Sequence, residues 1–315
     1  MSTQTVSSMR LFHPSSANAD LSIPNEGFAV GLDAVHVDNL PFARNFSPMK
    51  RSAINRRTPF LKMHALGNHF ILVDARVRPF SPDLATITEM CRHHSGIGAE
   101  QLLVLTRSPT ADAALDIYNV DGFKAEACGN AARCVAWYLM DLMNQETISI
   151  TCNGRTLTGQ VVDELTVQVD LGEVSYLPQH QAVSAKQWGS FEHGFAVDVA
   201  NPHIVFLADQ CSQQELAGVA PSIQVDPLFP DGVNVTLAHR HAKGGLRTWT
   251  YERSVGFTAA CGTGAVASAF AASQHLSMTG PLAIHMTGGI VSVLIDESNR
   301  AHLTGPVTLS FRGYW

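Results

Sequence analysis

Ala127-Cys128-Gly129-Asn130-Ala131-Ala132 and, 133 positions later, Ala260-Cys261-Gly262-Thr263-Gly264-Ala265 carry one local signal written twice. At that shift Tyr118 falls on Tyr251 and Ala136 on Ala269, making six identities in nineteen positions, more than chance alignment gives. The same ungapped shift puts Asn68 on Asn201 and Gln101 on Asn234. The economical reading is two halves of like architecture, each with a cysteine heading a helix.

The helices are expected over 130–143 and 263–275. The first repeats apolar residues at 131, 132, 135, 136, 139 and 142, a helical period. The second is apolar nearly all round and should be buried on every side. Short β-rich runs bounded by Gly, Pro, Asn and Asp occupy 71–74, 102–106, 115–119, 148–151 and 165–171. A second series occupies 195–199, 204–207, 233–237, 246–251, 291–295 and 307–311.

Each cysteine stands where first-turn N–H groups are free to hold an anion and where the helix dipole favours thiolate. Both thiols are therefore expected to have lowered pKa values and, in air, to oxidise to each other. If the halves face across a pseudo-twofold axis, two sulfurs flank one site. That arrangement suits inversion at carbon: one thiolate removes an α-proton from one face and the opposite thiol delivers one to the other. Helix N-termini holding the α-carboxylate would stabilise the developing charge. Such chemistry needs no pyridoxal phosphate, and none of the five lysines lies in these motifs.

The remaining composition narrows the choice. The 315 residues suffice for two domains. A net charge of -6 lacks the basic footprint of a nucleic-acid binder. No apolar run reaches the ~18 residues of a membrane span. Six cysteines without a Cys-x-x-Cys pair suggest reduced thiols, a cytoplasmic protein and no zinc; Cys91, Cys134, Cys152 and Cys211 read as ordinary thiols. His239 and His241 lack a third metal ligand nearby in sequence. Gly262-Thr-Gly264 imitates a dinucleotide fingerprint but lacks the acidic residue ~20 positions on. Residues 1–57 have little hydrophobic period and no secretory signal; they read as a loosely ordered extension, with Met49 an alternative start.

At these residues the chain resembles the diaminopimelate epimerase family, from about Phe60 to the C-terminus. The matching motifs are Lys62 to Phe70, Gly96-Ile-Gly98 with Gln101, Tyr118 to Gly122, Cys128 to Cys134 and Asn153-Gly-Arg155. Asn201-Pro-His203, Asn234, Tyr251-Glu-Arg253 and Ala260 to Gly264 complete the set.

The resemblance implies an α/β (α+β) fold of two pseudo-symmetric domains, each a mostly antiparallel sheet wrapped around a central helix. They would span 58–173, with a returning strand over 304–315, and 174–303. It implies a cofactor-free homodimer interconverting LL- and meso-diaminopimelate for lysine and peptidoglycan synthesis. Cys128 and Cys261 become the acid–base pair, and Gly129, Asn130, Gly262 and Thr263 present amides to the reacting carboxylate. Asn68, Gln101, Asn119, Asn201, Asn234, Glu252 and Arg253 hold the rest of the substrate, Arg253 at the distal carboxylate and Glu252 at an ammonium group. The chain departs from the family's pattern at His69 and Glu100 (Asp in the family), Phe123 and Lys124 (Ser and Glu), Ala131 (Gly) and Phe257 (Glu). A racemase of another amino acid on the same scaffold, or a non-catalytic paralogue, are the alternatives these changes raise.

Overall fold

The computed structural model describes residues 58–315 except 127, 210, 211 and 254. The expected extension over 1–57 and Cys211 lie outside the described residues. The first half contains β1 (Pro59–Ala65), β2 (Asn68–Asp74), α1 (Leu84–Cys91), β3 (Gln101–Thr106), β4 (Ala113–Asn119), α2 (Gly129–Met143), β5 (Thr147–Cys152), β6 (Arg155–Val161) and β7 (Thr166–Glu173). The second contains β8 (Ser175–Tyr176), α3 (His180–Ser184), β9 (Phe195–Asp198), β10 (Pro202–Leu207), α4 (Gln213–Gln224), β11 (Asn234–Arg240), β12 (Leu246–Glu252) and β13 (Gly256–Phe257). It ends with α5 (Gly262–His275), β14 (Leu282–Met286), β15 (Gly289–Ile295), β16 (Arg300–Pro306) and β17 (Thr308–Tyr314).

The repeat seen in sequence is a repeat of strand register. Phe70 of β2 pairs in parallel with Gln101 of β3, and His203 of β10 pairs in parallel with Asn234 of β11. Leu102 opposes Tyr118 across β3 and β4, and Val235 opposes Tyr251 across β11 and β12. Each pair in the second half is the first pair shifted by 133. A single-residue slip enters on either side of this run, where Met63 meets Phe70 but Val197 meets His203, and where Ala113 meets Ile150 but Leu246 meets Ile284. Antiparallel β16 and β7 join the two halves, and β17 returns to pair with β1.

The two central helices share one core, in which Ala132, Val135 and Leu139 of α2 and Ala265, Ala269 and Phe270 of α5 are buried. In α5 every residue from Gly262 to Ala272 is buried, as its all-round apolar composition requires. Seven of those eleven are Gly or Ala, so the sheet can close around the helix. α2 stops at Asn144, which adopts the left-handed conformation at φ 52° and returns its N–H to Met140 O.

Two helices over the described residues were expected and five form. α1 is capped by Asp83, whose carboxylate accepts from Thr86 N–H. α4 carries a complete capping box, Ser212 with Glu215, and runs through Pro221. Both pack on the outside of the sheet, where Ile87 and Met90 meet Ile71 and Val73, and Leu216 and Ile223 meet Val235 and Leu237.

Candidate active site

The site forms where both central helices begin. Cys128 and Cys261 are the N-cap residues of α2 and α5, both with extended backbone, and each sulfur accepts from a first-turn amide. Ala131 N–H reaches Cys128 Sγ at 3.5 Å and Gly264 N–H reaches Cys261 Sγ at 3.4 Å. The helix starts are in contact, since a Cβ on Gly262 would lie 3.2 Å from the Asn130 backbone nitrogen.

Register carries the polar residues to the same place. Gln101 opens β3 opposite Asn119, the last residue of β4, and its Nε2 donates to Asn119 Oδ1 at 2.9 Å. Asn68 opens β2, while Asn234 opens β11 and Glu252 ends β12. One cavity is walled by both cysteines together with Asn68, Gln101, Asn119, Gly129, Asn130, Asn201, Glu252, Gly262 and Thr263. The structure thus brings eleven of the thirteen expected residues around one space.

Asn234 and Arg253 stand beside that wall. Asn234 Oδ1 accepts from the Arg253 backbone N–H at 2.9 Å, and its Nδ2 donates to Pro202 O. The Arg253 guanidinium donates to Asp231 O at 2.7 Å and reaches Glu126 at 3.4 Å. Glu126 and Asp231 line an open cleft that shares Asn201 with the cysteine cavity.

The expected lowering of the thiol pKa values is overturned. Burial pushes the Cys128 thiol up to about 12 and Cys261 well above the ordinary thiol value of 9.0. The amide on each sulfur works the other way but is outweighed by desolvation, and the nearby Glu252 carboxylate adds repulsion. A helix N-terminus favours a thiolate only where solvent or a counter-charge shares the load. Here the resting sulfurs are thiols.

Glu252 is itself buried, and burial raises its carboxyl above the usual range despite hydrogen bonds from the Thr258 hydroxyl and Cys261. His203 lies fully buried behind Asn201. Its Nε2 meets Asn201 Oδ1 at 3.1 Å, which makes Nε2 the protonated nitrogen, and burial lowers its pKa to about 3. Neutral His203 thereby orients Asn201, whose Nδ2 points at Thr263 Oγ1 at 3.4 Å.

Sequence reasoning missed several members of the site. Glu100 lines the cavity and accepts from His69 N–H at 2.5 Å. Val255 and Thr258, which flank β13, and Ala260 also line the cavity. The usable signal for Glu100 was its place beside Gln101; for Glu126, its place two residues before Cys128. His239 packs edge-on against Trp249, and His241 stacks on His285 at 3.7 Å between ring centroids. Among the described residues no three His, Cys, Asp or Glu side chains cluster as metal ligands, and no helix is long and apolar enough to cross a membrane.

Comparison with known proteins matches residues 60–177 and 195–310 to the family model described as diaminopimelate epimerase. The chain is 36% identical over 266 residues to a diaminopimelate epimerase of Erythrobacter litoralis, covering 82% of this chain and 97% of the relative. It is 35% identical over 260 residues to that of Sphingopyxis alaskensis, covering 81% and 96%. Among solved structures, a hydroxyproline epimerase from Agrobacterium vitis with bound trans-4-hydroxy-L-proline superposes with a TM-score of 0.61 at 16% identity, covering 82% of this chain and 91% of that one. A phenazine biosynthesis protein of the PhzF family from Enterococcus faecalis gives 0.59 at 15% identity, covering 82% and 99%. These two likenesses are likenesses of fold.

Proposed function

The chain belongs to the diaminopimelate epimerase family, and on that premise we propose that it interconverts LL- and meso-2,6-diaminopimelate by a two-base reaction between Cys128 and Cys261. It is an isomerase. The observation that carries the reading is the pair of cysteines capping two touching helices around one polar cavity.

In this reading the α-carboxylate sits on the free amides of the two helix starts, where the peptide dipoles oppose the charge gained at Cα as the proton leaves. One sulfur takes the α-proton while the other thiol gives its proton to the opposite face, so protons balance and the sulfurs exchange states. The cycle needs one thiol deprotonated. Glu252 is the neighbouring acceptor, because its buried carboxyl holds a proton more readily than an exposed one and already bonds Cys261. Gln101 Oε1 is buried without a partner among the described residues, an acceptor suited to an ammonium group at the cavity. Arg253 would meet the distal carboxylate after leaving Glu126.

The reaction would serve lysine and peptidoglycan synthesis in the cytoplasm, with the protein acting as a homodimer. Sedimentation of the purified chain tests the dimer. The test of activity is deuterium uptake at Cα from heavy water over a panel of amino acids. Uptake confined to diaminopimelate supports the assignment, and uptake with a different amino acid alone replaces the substrate while keeping the chemistry.

A further inference from the structure

Arg133 lies one turn beyond Asn130 on α2 and is wholly buried. Its Nη2 donates to Asn130 Oδ1 at 3.0 Å. Its Nε and Nη1 find no partner among the described residues, and no carboxylate pairs with it. Gly305 on the strand opposite lies against it: a Cβ there would be 3.4 Å from the guanidinium carbon and 2.8 Å from Val291 Cγ1. Burying a cation without a counter-ion is costly, and a methionine would fill similar space without that cost. Packing alone does not account for the residue.

Its one bond decides something. A side-chain amide can turn over, exchanging oxygen for nitrogen. With Oδ1 held by the guanidinium, Asn130 must aim Nδ2 the other way. There it donates to Ala260 O at 2.9 Å and to Asn68 Oδ1 at 3.1 Å. Ala260 precedes Cys261, and Asn68 Oδ1 is the group that Cys128 Sγ faces at 4.0 Å. The turned-over amide would set N–H against N–H at Arg133 and oxygen against oxygen at both other contacts. A chain of bonds therefore runs from Arg133 through Asn130 to the approaches of both sulfurs.

We infer that Arg133 is a positioning residue of the two-cysteine site: its guanidinium locks the Asn130 amide as the bridge between the helix carrying Cys128 and the residue before Cys261. Burial lowers the Arg133 pKa to about 10, so below that pH its charge stands and acts on Cys128 as a small influence opposing the rise that burial imposes there. The inference rests on the two-thiol reading for its kinetic consequence, though not for its geometry.

The test uses the full chain with Arg133→Met and Arg133→Lys, read in two ways. Iodoacetamide labelling of Cys128 against pH, mapped by peptide mass, needs no substrate. Turnover of diaminopimelate separates kcat from KM. Arg133→Met should move the labelling profile to higher pH and cut kcat roughly 10- to 100-fold with KM within about threefold, as for a misplaced reacting group. Arg133→Lys should restore the labelling profile more than kcat, since it keeps charge but not the planar fork. A folded methionine variant with an unchanged labelling profile overturns the inference, whatever its kcat. Should that variant fail to fold, wild-type kcat in the lysine variant overturns it. In the unaltered protein the Asn130 side-chain amide protons should exchange slowly with solvent by NMR; exchange as fast as an exposed amide overturns it too. If the unaltered protein leaves diaminopimelate unexchanged, the functional reading fails, while labelling and amide exchange still decide on Arg133.

Discussion

Gly129 and Gly262 meet at the point where the two central helices start: a Cβ on Gly129 would lie 3.7 Å from the Gly262 carbonyl carbon and 2.8 Å from Leu303 Cδ2. Neither glycine is there for a left-handed backbone, since neither has a positive φ. Gly262 is there because a Cβ would crowd Asn130 at the start of the facing helix, and Gly129 because a Cβ would drive into Leu303 at 2.8 Å and Leu171 at 3.2 Å.

Gly262→Ala should therefore separate the helix starts. Its Cβ would press on Asn130 Oδ1 at 3.1 Å and on the Asn130 nitrogen at 3.2 Å. The expected cost is roughly 1–3 kcal/mol of stability, with a loss of kcat beyond what unfolding explains. Thermal unfolding and turnover on the same sample check it, and wild-type values in both would contradict it.

Arg253→Ala should lose roughly 2–5 kcal/mol in kcat/KM for diaminopimelate, the range for a charged partner left without its mate. Labelling of the cysteines should not change. Glu126→Gln should act in the opposite direction and lower KM, because an amide competes less than a carboxylate for the guanidinium it now holds at 3.4 Å. Steady-state kinetics of both variants decide the matter; unchanged constants for Arg253→Ala would remove it from the site.

Alkaline pH should both activate and destabilise. The thiol of Cys128 is raised from 9.0 to about 12, so between those values the unfolded chain ionises while the folded one does not. Stability is then present below pH 9.0 and falls as pH rises towards 12. Alkylation, and any air oxidation joining Cys128 to Cys261, should be slow at neutral pH and accelerate over the same window. Unfolding scans against pH for the unaltered chain and Cys128→Ser should diverge there; parallel curves would contradict the assignment.

On the acid side the sign reverses. His203 is depressed from 6.5 to about 3, so it favours the folded state above pH 6.5 and that contribution is lost as pH falls towards 3. His203→Gln should flatten the stability profile between those values and weaken substrate binding through Asn201. A profile as steep as that of the unaltered chain would refute this role.

The fold was legible wherever local chemistry and tertiary context agree. Cys-Gly pairs at matched spacing marked both helix starts, and the spacing of 133 survives as strand register at Phe70 with Gln101 and at His203 with Asn234. β1 was missed because Lys62 and His64 interrupt its apolar run. In the fold Lys62 is buried, its ammonium given to Gly98 O, and burial lowers its pKa. α4 was missed because Pro221 reads as a breaker, although Ser212 and Glu215 spelled its cap. The sign of the thiol shift was misread because a helix terminus is a local feature, whereas desolvation belongs to the assembled core. Arg133 was invisible for the same reason, since nothing in a sequence distinguishes an arginine in the core from one in water.

The most direct test of the central claim is proton exchange at Cα in heavy water, followed by mass spectrometry and chiral analysis, for the unaltered chain and for Cys128→Ser and Cys261→Ser. The two-thiol account predicts that the unaltered chain interconverts LL- and meso-diaminopimelate with one solvent deuteron gained per inversion. It predicts that each single variant loses interconversion, because one face of the carbon then lacks its acid or its base. Near-normal interconversion by either variant would contradict the account.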